Sequence, residues 1–234
     1  MREREDADAT AAHLREAGFE PVLLPLSETR LLDPAPPETH VAGLIATSRH
    51  AVPWLRRHFG GSGHPVLAVG EATASRLRDG GFRQVIVGPG RAGDLAALAA
   101  SLPIAPGARF LHAAGRVRLS DLDAGFAAAG LPLDVAEVYD TVPRTVSPEE
   151  RARLRGEAGT IAGALLLSRG QARGLDALLR EEGAPGEGLT FFCLSRAIAL
   201  ELSPQFGKNA IWADHPSLAS LIETIKRWNG RLGR

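Results

Sequence analysis

Val66-Leu-Ala-Val-Gly-Glu-Ala-Thr-Ala-Ser75 reads as a buried strand that ends on Gly70, turns at once and opens a helix with Thr73 in its first turn. A glycine at that point lets backbone approach a ligand where a Cβ would collide. The first N–H groups of the helix have no partner within it, and they face whatever occupies the turn, which suits an anion or a carbonyl. Upstream, Val41 to Thr47 is a second apolar strand, ending in Ser48 as a helix N-cap; the helix it starts runs to about Phe59 with Pro53 in its first turn. Downstream come a strand at 84–88, a helix from Asp94 to Ser101 and a strand from Ala108 to His112. A helix opened by the capping-box shape Ser120-Asp-Leu-Asp123 follows, and then a strand over 133–138 that ends at Tyr139. This alternation predicts an α/β fold, a parallel sheet with helices on both faces.

The pattern continues at both ends of the chain. A helix over Asp6 to Ala17 is stopped by Gly18, and Pro21-Val-Leu-Leu-Pro-Leu26 reads as a short strand. Two stretches read as linkers, the Pro-rich 33–38 and Thr141-Val-Pro-Arg144. Ser147-Pro-Glu-Glu150 is the clearest helix start, with Ser at the cap, Pro at the first helical position and Glu at the third. Beyond it lie a strand over 161–167 ending in Ser168, a helix to about Glu182 and a loop holding Gly183, Pro185, Gly186 and Gly188. A strand over 189–194 ending in Ser195 follows, then one over 210–213 and a last amphipathic helix.

Composition narrows the function. With 234 residues and 44% apolar content, the chain can fill one large core or two smaller ones. Lys plus Arg and Asp plus Glu are equal at 27 each, so the field that would hold a nucleic acid is absent. The single cysteine, Cys193, lies inside an apolar strand, and the seven histidines show no metal-ligand spacing; no metal is expected. The charged start Met1-Arg-Glu-Arg lacks the apolar core of a signal peptide and no run is long enough to span a membrane, so a cytoplasmic location is expected.

The chain also echoes itself. Ile45-Ala-Thr-Ser-Arg matches Leu165-Leu-Leu-Ser-Arg, and Leu67-Ala-Val-Gly-Glu-Ala matches Phe192-Cys-Leu-Ser-Arg-Ala; a period above 100 residues means a duplicated domain. Binding loops at the carboxyl ends of parallel strands lie on one edge of a sheet, so two copies facing each other would enclose a cleft lined by Ser, Thr, Arg and helix N-termini. Such a cleft suits a large anionic small molecule. Arg49, Arg116, Arg118, Arg169 and Arg196 all fall at or near strand-to-helix turns, and Arg pairs carboxylates through its fixed fork of donors.

In the order and spacing of its short motifs the chain resembles the uroporphyrinogen-III synthase family. The matching residues are Thr47-Ser48 with Ala51-Val52, Val69-Gly70 with Thr73-Ala74, Gly93-Asp94-Leu95, and Val138-Tyr139 with Thr141. The resemblance implies two similar parallel-sheet α/β domains joined by a two-stranded linker, one discontinuous (1–33 plus 144–234) and one inserted (38–140). It implies an enzyme that closes hydroxymethylbilane, a linear tetrapyrrole with eight carboxylates, into uroporphyrinogen III with inversion of the last pyrrole ring. No cofactor and no metal are implied, and a monomer is expected. In that chemistry loss of the terminal hydroxyl gives an azafulvene and a spiro intermediate follows. Tyr139 would be the acid for the departing hydroxyl and Thr73 a hydrogen-bond donor. Ser48, Arg49, Gly70, Arg116, Arg118, Ser168, Arg169, Ser195 and Arg196 would bind substrate.

Two departures from the family stand out. Similar sequences open with a strand leading into Arg-Pro, whereas this chain keeps Arg2 and the helix without that strand. The second domain's counterpart of a Gly-Pro-Thr-Thr turn is Ser195-Arg-Ala-Ile198. The alternative is a non-catalytic two-lobed protein that binds a tetrapyrrole or a small anion. The glycine pattern Gly88-Pro-Gly-Arg-Ala-Gly93 suggests a dinucleotide, but Pro89 constrains the turn, Asp94 would repel a pyrophosphate, and no acidic residue closes the next strand.

Overall fold

The computed structural model describes residues 4–157, 160–183 and 188–232; Arg2 and most of the glycine-rich loop at 183–188 lie outside them. The chain divides into two compact units, a discontinuous one (Met1–Glu28 with Pro143–Arg234) and an inserted one (Thr29–Val142).

The discontinuous unit begins with helix α1 (Arg4–Glu16). Gly18 ends it at φ +87°, the left-handed conformation glycine tolerates best, and Phe19 N–H returns to Leu14 O at 2.9 Å. Residues 19–26 form no strand, contrary to the expectation for Pro21–Leu26. Pro21 and Pro25 carry no N–H to give to a ladder. The backbone groups that do bond go elsewhere: Leu26 O accepts from Arg144 N and Pro25 O from Arg144 Nε. The apolar alternation is spent on packing instead, with Leu24 and Leu26 against the core.

The chain then enters the inserted unit through β1 (Ser27–Leu31) and runs through β2 (Val41–Ala46), α2 (Val52–Phe59), β3 (Val66–Ala68), α3 (Glu71–Asp79), β4 (Val85–Val87), α4 (Leu95–Ala100), β5 (Arg109–Gly115), α5 (Asp121–Ala128) and β6 (Leu133–Pro143). The sheet order is β1-β6-β5-β2-β3-β4, and β6, β5, β2, β3 and β4 pair in parallel. Alternate residues of these strands face opposite cores. Leu44, Ala46, Val66, Ala68, Leu111 and Ala113 pack with Trp54 and Leu55 of α2 and Leu77 of α3. Ile45, Leu67 and Phe110 pack with Leu95 of α4 and Leu122 and Phe126 of α5. Burial on both faces is why these strands read as unbroken apolar runs.

Two local details differ from the sequence expectation. The strand ending at Tyr139 continues to Pro143 in β6, which neighbours β1, so the linker candidate at Thr141–Arg144 is largely strand, and the division between the two units falls within it, at Val142/Pro143. The Ser120 capping box does not form: Ser120 is already helical (φ −82°, ψ 0°), and its hydroxyl makes no cap bond.

The rest of the discontinuous unit comprises α6 (Pro148–Glu157), β7 (Gly163–Leu166), α7 (Arg169–Glu181), β8 (Thr190–Cys193), the short α8 (Arg196–Ala199) and α9 (Pro204–Gly207), β9 (Ala210–Trp212) and α10 (Leu218–Leu232). Its three strands lie parallel in the order β7-β8-β9. Phe191, Cys193 and Leu166 meet α7 to α9 on one face, while Phe192 meets Leu221, Ile225 and Trp228 of α10 on the other. Here the capping box at Ser147 is complete: Glu150 N donates to Ser147 Oγ (3.2 Å) and Ser147 N to Glu150 Oε2 (2.9 Å). Hydrogen bonds from Arg144, then from the Ser147 backbone, hold the Glu150 carboxyl below the usual range.

Ser147→Ala should therefore cost about 1 kcal/mol of stability, while Ser120→Ala, which removes no cap bond, should cost close to none; chemical denaturation of the two variants measures the difference.

Candidate functional site

In the inserted unit the strand order reverses between β2 and β5. β3 and β4 extend the sheet to one side of β2, and β5 and β6 to the other. Ligands of open α/β sheets bind outside the carboxyl ends of the strands at such a point. The residues that follow β2 are Thr47, Ser48, Arg49 and His50; β5 ends at Gly115 and leads into Arg116; β6 brings Tyr139 alongside.

Each is held by local structure. Ser48, extended at φ −149°, caps a one-turn helix over Arg49–Ala51, its Oγ accepting from His50 N at 3.3 Å. Arg49 in that turn is partly buried. The β5–β6 register slips by one residue, so that Ala114 is opposite Glu137 but Gly115 is opposite Tyr139. The tyrosine ring then lies over Gly115, where a Cβ would come within 2.6 Å of Tyr139 Cε2. The His50 ring meets it edge-on, centroids 5.4 Å apart. Tyr139 joins the core that contains Ala136 and Val138, with part of its surface open.

The turn after β3 differs in detail from the sequence reading. Gly70 is the N-cap of α3 in an extended conformation, and a Cβ there would meet only Gly90 Cα at 3.8 Å, so the protein itself does not require glycine. Thr73 is 6% exposed and packs beneath the turn. Gly88 of the dinucleotide-like pattern has a packing reason instead: a Cβ would fall 2.5 Å from Leu95 Cδ2 and 3.0 Å from Ala68 O.

Arg116, Arg118 and Arg169 arrive already paired. Arg116 bonds Asp140 (2.9 Å) and Glu137 (3.3 Å), and Arg118 meets Glu137 (3.4 Å) and Asp123 (3.9 Å). Arg116, Glu137 and Val135 also line a surface cavity of about 560 Å³ with Leu32, Asp33 and Pro34. The loop that carries Arg116 and Arg118 exposes Val117 and Leu119 at 82% and 79%. In the discontinuous unit, Ser168 and Ser195 follow β7 and β8 as N-caps. Ser168 Oγ accepts from Gln171 N at 3.2 Å, whereas Ser195 makes no side-chain cap bond. Arg169 shares Glu201 with Arg173 (3.7 and 3.0 Å), while Arg196 is exposed and meets no carboxylate among the described residues.

A polar pair that strand and turn spacing do not announce lies beneath the β2–β5 edge. His112 sits in the middle of β5 at 2% exposure, its Nε2 3.0 Å from Thr47 Oγ1. The available signal was a histidine two positions after Phe110 in a run that is otherwise apolar from Phe110 to Gly115, which alternation places on the buried α4/α5 face. Among the described residues no cluster of three or more His, Cys, Asp or Glu could hold a metal. No helix is long and apolar enough to cross a membrane among them.

Burial pushes the His112 pKa down to about 4, with Asp123 opposing and Arg118 adding to the effect. As pH falls below about 6.5, the unfolded chain takes a proton that the folded protein refuses until about pH 4, so stability is full above that window and drains away within it. The shift corresponds to about 3 kcal/mol. His112→Phe should flatten the stability profile between about pH 6.5 and 4, as read from denaturation midpoints across that range.

A model of the HEM4 family, uroporphyrinogen-III synthase HemD, matches residues 8–223. No curated protein matches the chain in sequence. Among solved structures, uroporphyrinogen-III synthetase from Helicobacter pylori 26695 is similar at a TM-score of 0.64 and 20% identity, over 87% of this chain and 91% of that one. A mutant uroporphyrinogen III synthase from the extremely thermophilic bacterium Thermus thermophilus aligns over 97% and 96% at 19% identity and a TM-score of 0.48. The first likeness concerns the fold, which is the α/β architecture described above, and the family match spans nearly the whole sequence: the chain belongs to the uroporphyrinogen-III synthase family.

Proposed function

We propose that the protein cyclises hydroxymethylbilane to uroporphyrinogen III, inverting the last pyrrole ring, as a step of tetrapyrrole biosynthesis. The observation that carries this reading is the family match over residues 8–223. The geometry supports it with a tyrosine, a capped turn and a cluster of guanidinium groups on the carboxyl side of one sheet.

In this reading the reaction needs a fold-back of the linear chain more than it needs strong acid or base. The electron-rich terminal pyrrole expels its hydroxyl as water once a proton is supplied, and the azafulvene that remains is attacked within the same molecule. Proximity supplies most of the rate. Tyr139 is the proton donor: its ring is clamped between Gly115 and His50 while part of it stays accessible. The N–H groups at the N-termini after Ser48 and Gly70 bind carboxylates, Thr73 donates from beneath its turn, and Arg49, Arg116 and Arg118 supply positive charge. Ser168, Arg169, Ser195 and Arg196 add hydroxyls and guanidinium groups on the carboxyl side of the other unit's sheet. No metal or organic cofactor is called on.

Purified protein should convert enzymatically made hydroxymethylbilane to the type III isomer; isomer I alone would mean spontaneous closure and would favour a non-catalytic binding protein. Tyr139→Phe should lower turnover by about 10²-fold, the lower end of general acid catalysis, and Thr73→Val by less than about tenfold. Normal turnover in the Phe variant removes Tyr139 from the mechanism.

A further inference from the structure

His112 takes no part in the chemistry proposed above, and its position breaks a rule of the surrounding core. Its strand neighbours Phe110, Leu111, Ala113 and Ala114 are buried and apolar. Its Nδ1 is buried without a hydrogen-bond partner among the described residues, and its Nε2 lies 3.0 Å from Thr47 Oγ1. A residue kept only to fill this space would pack better as Phe or Leu, since a buried polar atom without a partner lowers stability. Departures of this kind gather at functional positions.

The pair's geometry fixes its hydrogens. Burial keeps the ring neutral, so it carries one N–H, on either nitrogen. With the proton on Nδ1, a buried donor would be left unbonded, which folded proteins tolerate less well than an unused acceptor. With the proton on Nε2, it is donated to Thr47 Oγ1 and only a lone pair goes unused. That arrangement leaves the Thr47 hydroxyl hydrogen to be given elsewhere. Thr47 directly follows Ala46, the last residue of β2, is partly exposed, and stands where the strand order reverses.

We infer that His112 is a positioning residue: it donates from Nε2 to Thr47 and so fixes the Thr47 hydroxyl as a hydrogen-bond donor to an acceptor on the bound ligand, a carboxylate, outside the ends of β2 and β5. The ligand class rests on the function proposed above; the donor direction within the pair does not. The charged groups that act on His112, Asp123 and Arg118, do so in opposite senses.

Three measurements on the full chain test this. Imidazole ¹⁵N NMR at about pH 7, above the titration range of a buried histidine, should show His112 protonated at Nε2 and bare at Nδ1; the reverse tautomer, or a doubly protonated ring, overturns the inference whatever the enzyme does. His112→Leu and Thr47→Val should each raise KM for hydroxymethylbilane about tenfold with kcat little changed, and the double variant should be no worse than either alone. His112→Gln, whose amide can donate from a similar place, should restore KM and guards against the case in which the leucine variant fails to fold. Unchanged KM in folded His112→Leu, or effects that multiply in the double variant, overturns it. Titration with uroporphyrin III, an octacarboxylate that is not turned over, reads the same affinity loss without catalysis. A wild-type protein that binds it yet makes no type III isomer sinks the synthase reading and leaves the His112 inference standing.

Discussion

The pairing of β2 with β5 is the constraint on which the inserted unit depends. Leu44 lies opposite Leu111, Ile45 opposite His112 and Ala46 opposite Ala113, and every one of these side chains is buried. The ladder has one irregularity at its start, between Val41 and Gly43; from Gly43 onward its register is held, because a shift of one residue there would exchange the contents of the two cores. Fixing that register fixes what emerges at its end: Thr47 and the Ser48 cap from one strand, Gly115 and Arg116 from the other. The slip after Ala114 falls where the regular β5–β6 ladder stops and the candidate site begins. Bulges of this sort re-aim a side chain, and here the side chain is Tyr139.

The charge arrangement follows a second logic. Arg116 and Arg118 meet Glu137, Asp140 and Asp123, and these contacts are largely solvent-exposed. Exposed pairs are worth about 0–1 kcal/mol each. A ligand with several carboxylates can take over such guanidinium groups at small cost, provided that the displaced acids turn to water. The same acids explain how a basic edge coexists with an overall formal charge of zero.

Much of this architecture was legible in the chain. Unbroken apolar runs such as Leu44–Ala46 and Val66–Ala68 announced strands buried on both sides, and the caps at Ser48 and Ser147 announced the helices after them. What was not legible depended on partners distant in sequence. Pro21–Leu26 has strand-like alternation, yet among the described residues no neighbour receives it; Thr141–Pro143 reads as linker, yet it continues β6 in the sheet that also holds β1. Ser120 has the letters of a capping box and the wrong backbone. At the site, strand ends and turn residues could be read from spacing alone. The buried state of Thr73, the bond between His112 and Thr47 and the bond between Arg116 and Asp140 could not. The first is a matter of depth, and each of the other two joins a residue just past the end of one strand to a residue on another.

The route by which the chain enters and leaves the inserted unit has a practical side. It goes in along β1 and comes out along β6, which are neighbours in one sheet, and Leu32 N–H reaches Val138 O at 2.8 Å while Arg144 N–H reaches Leu26 O at 2.9 Å. A segment whose entry and exit are already bonded to each other behaves as a cassette. It could be cut out and its host resealed by a tight turn across Leu26 and Arg144, or it could be swapped for a foreign module with similarly close ends, without redirecting the chain on either side.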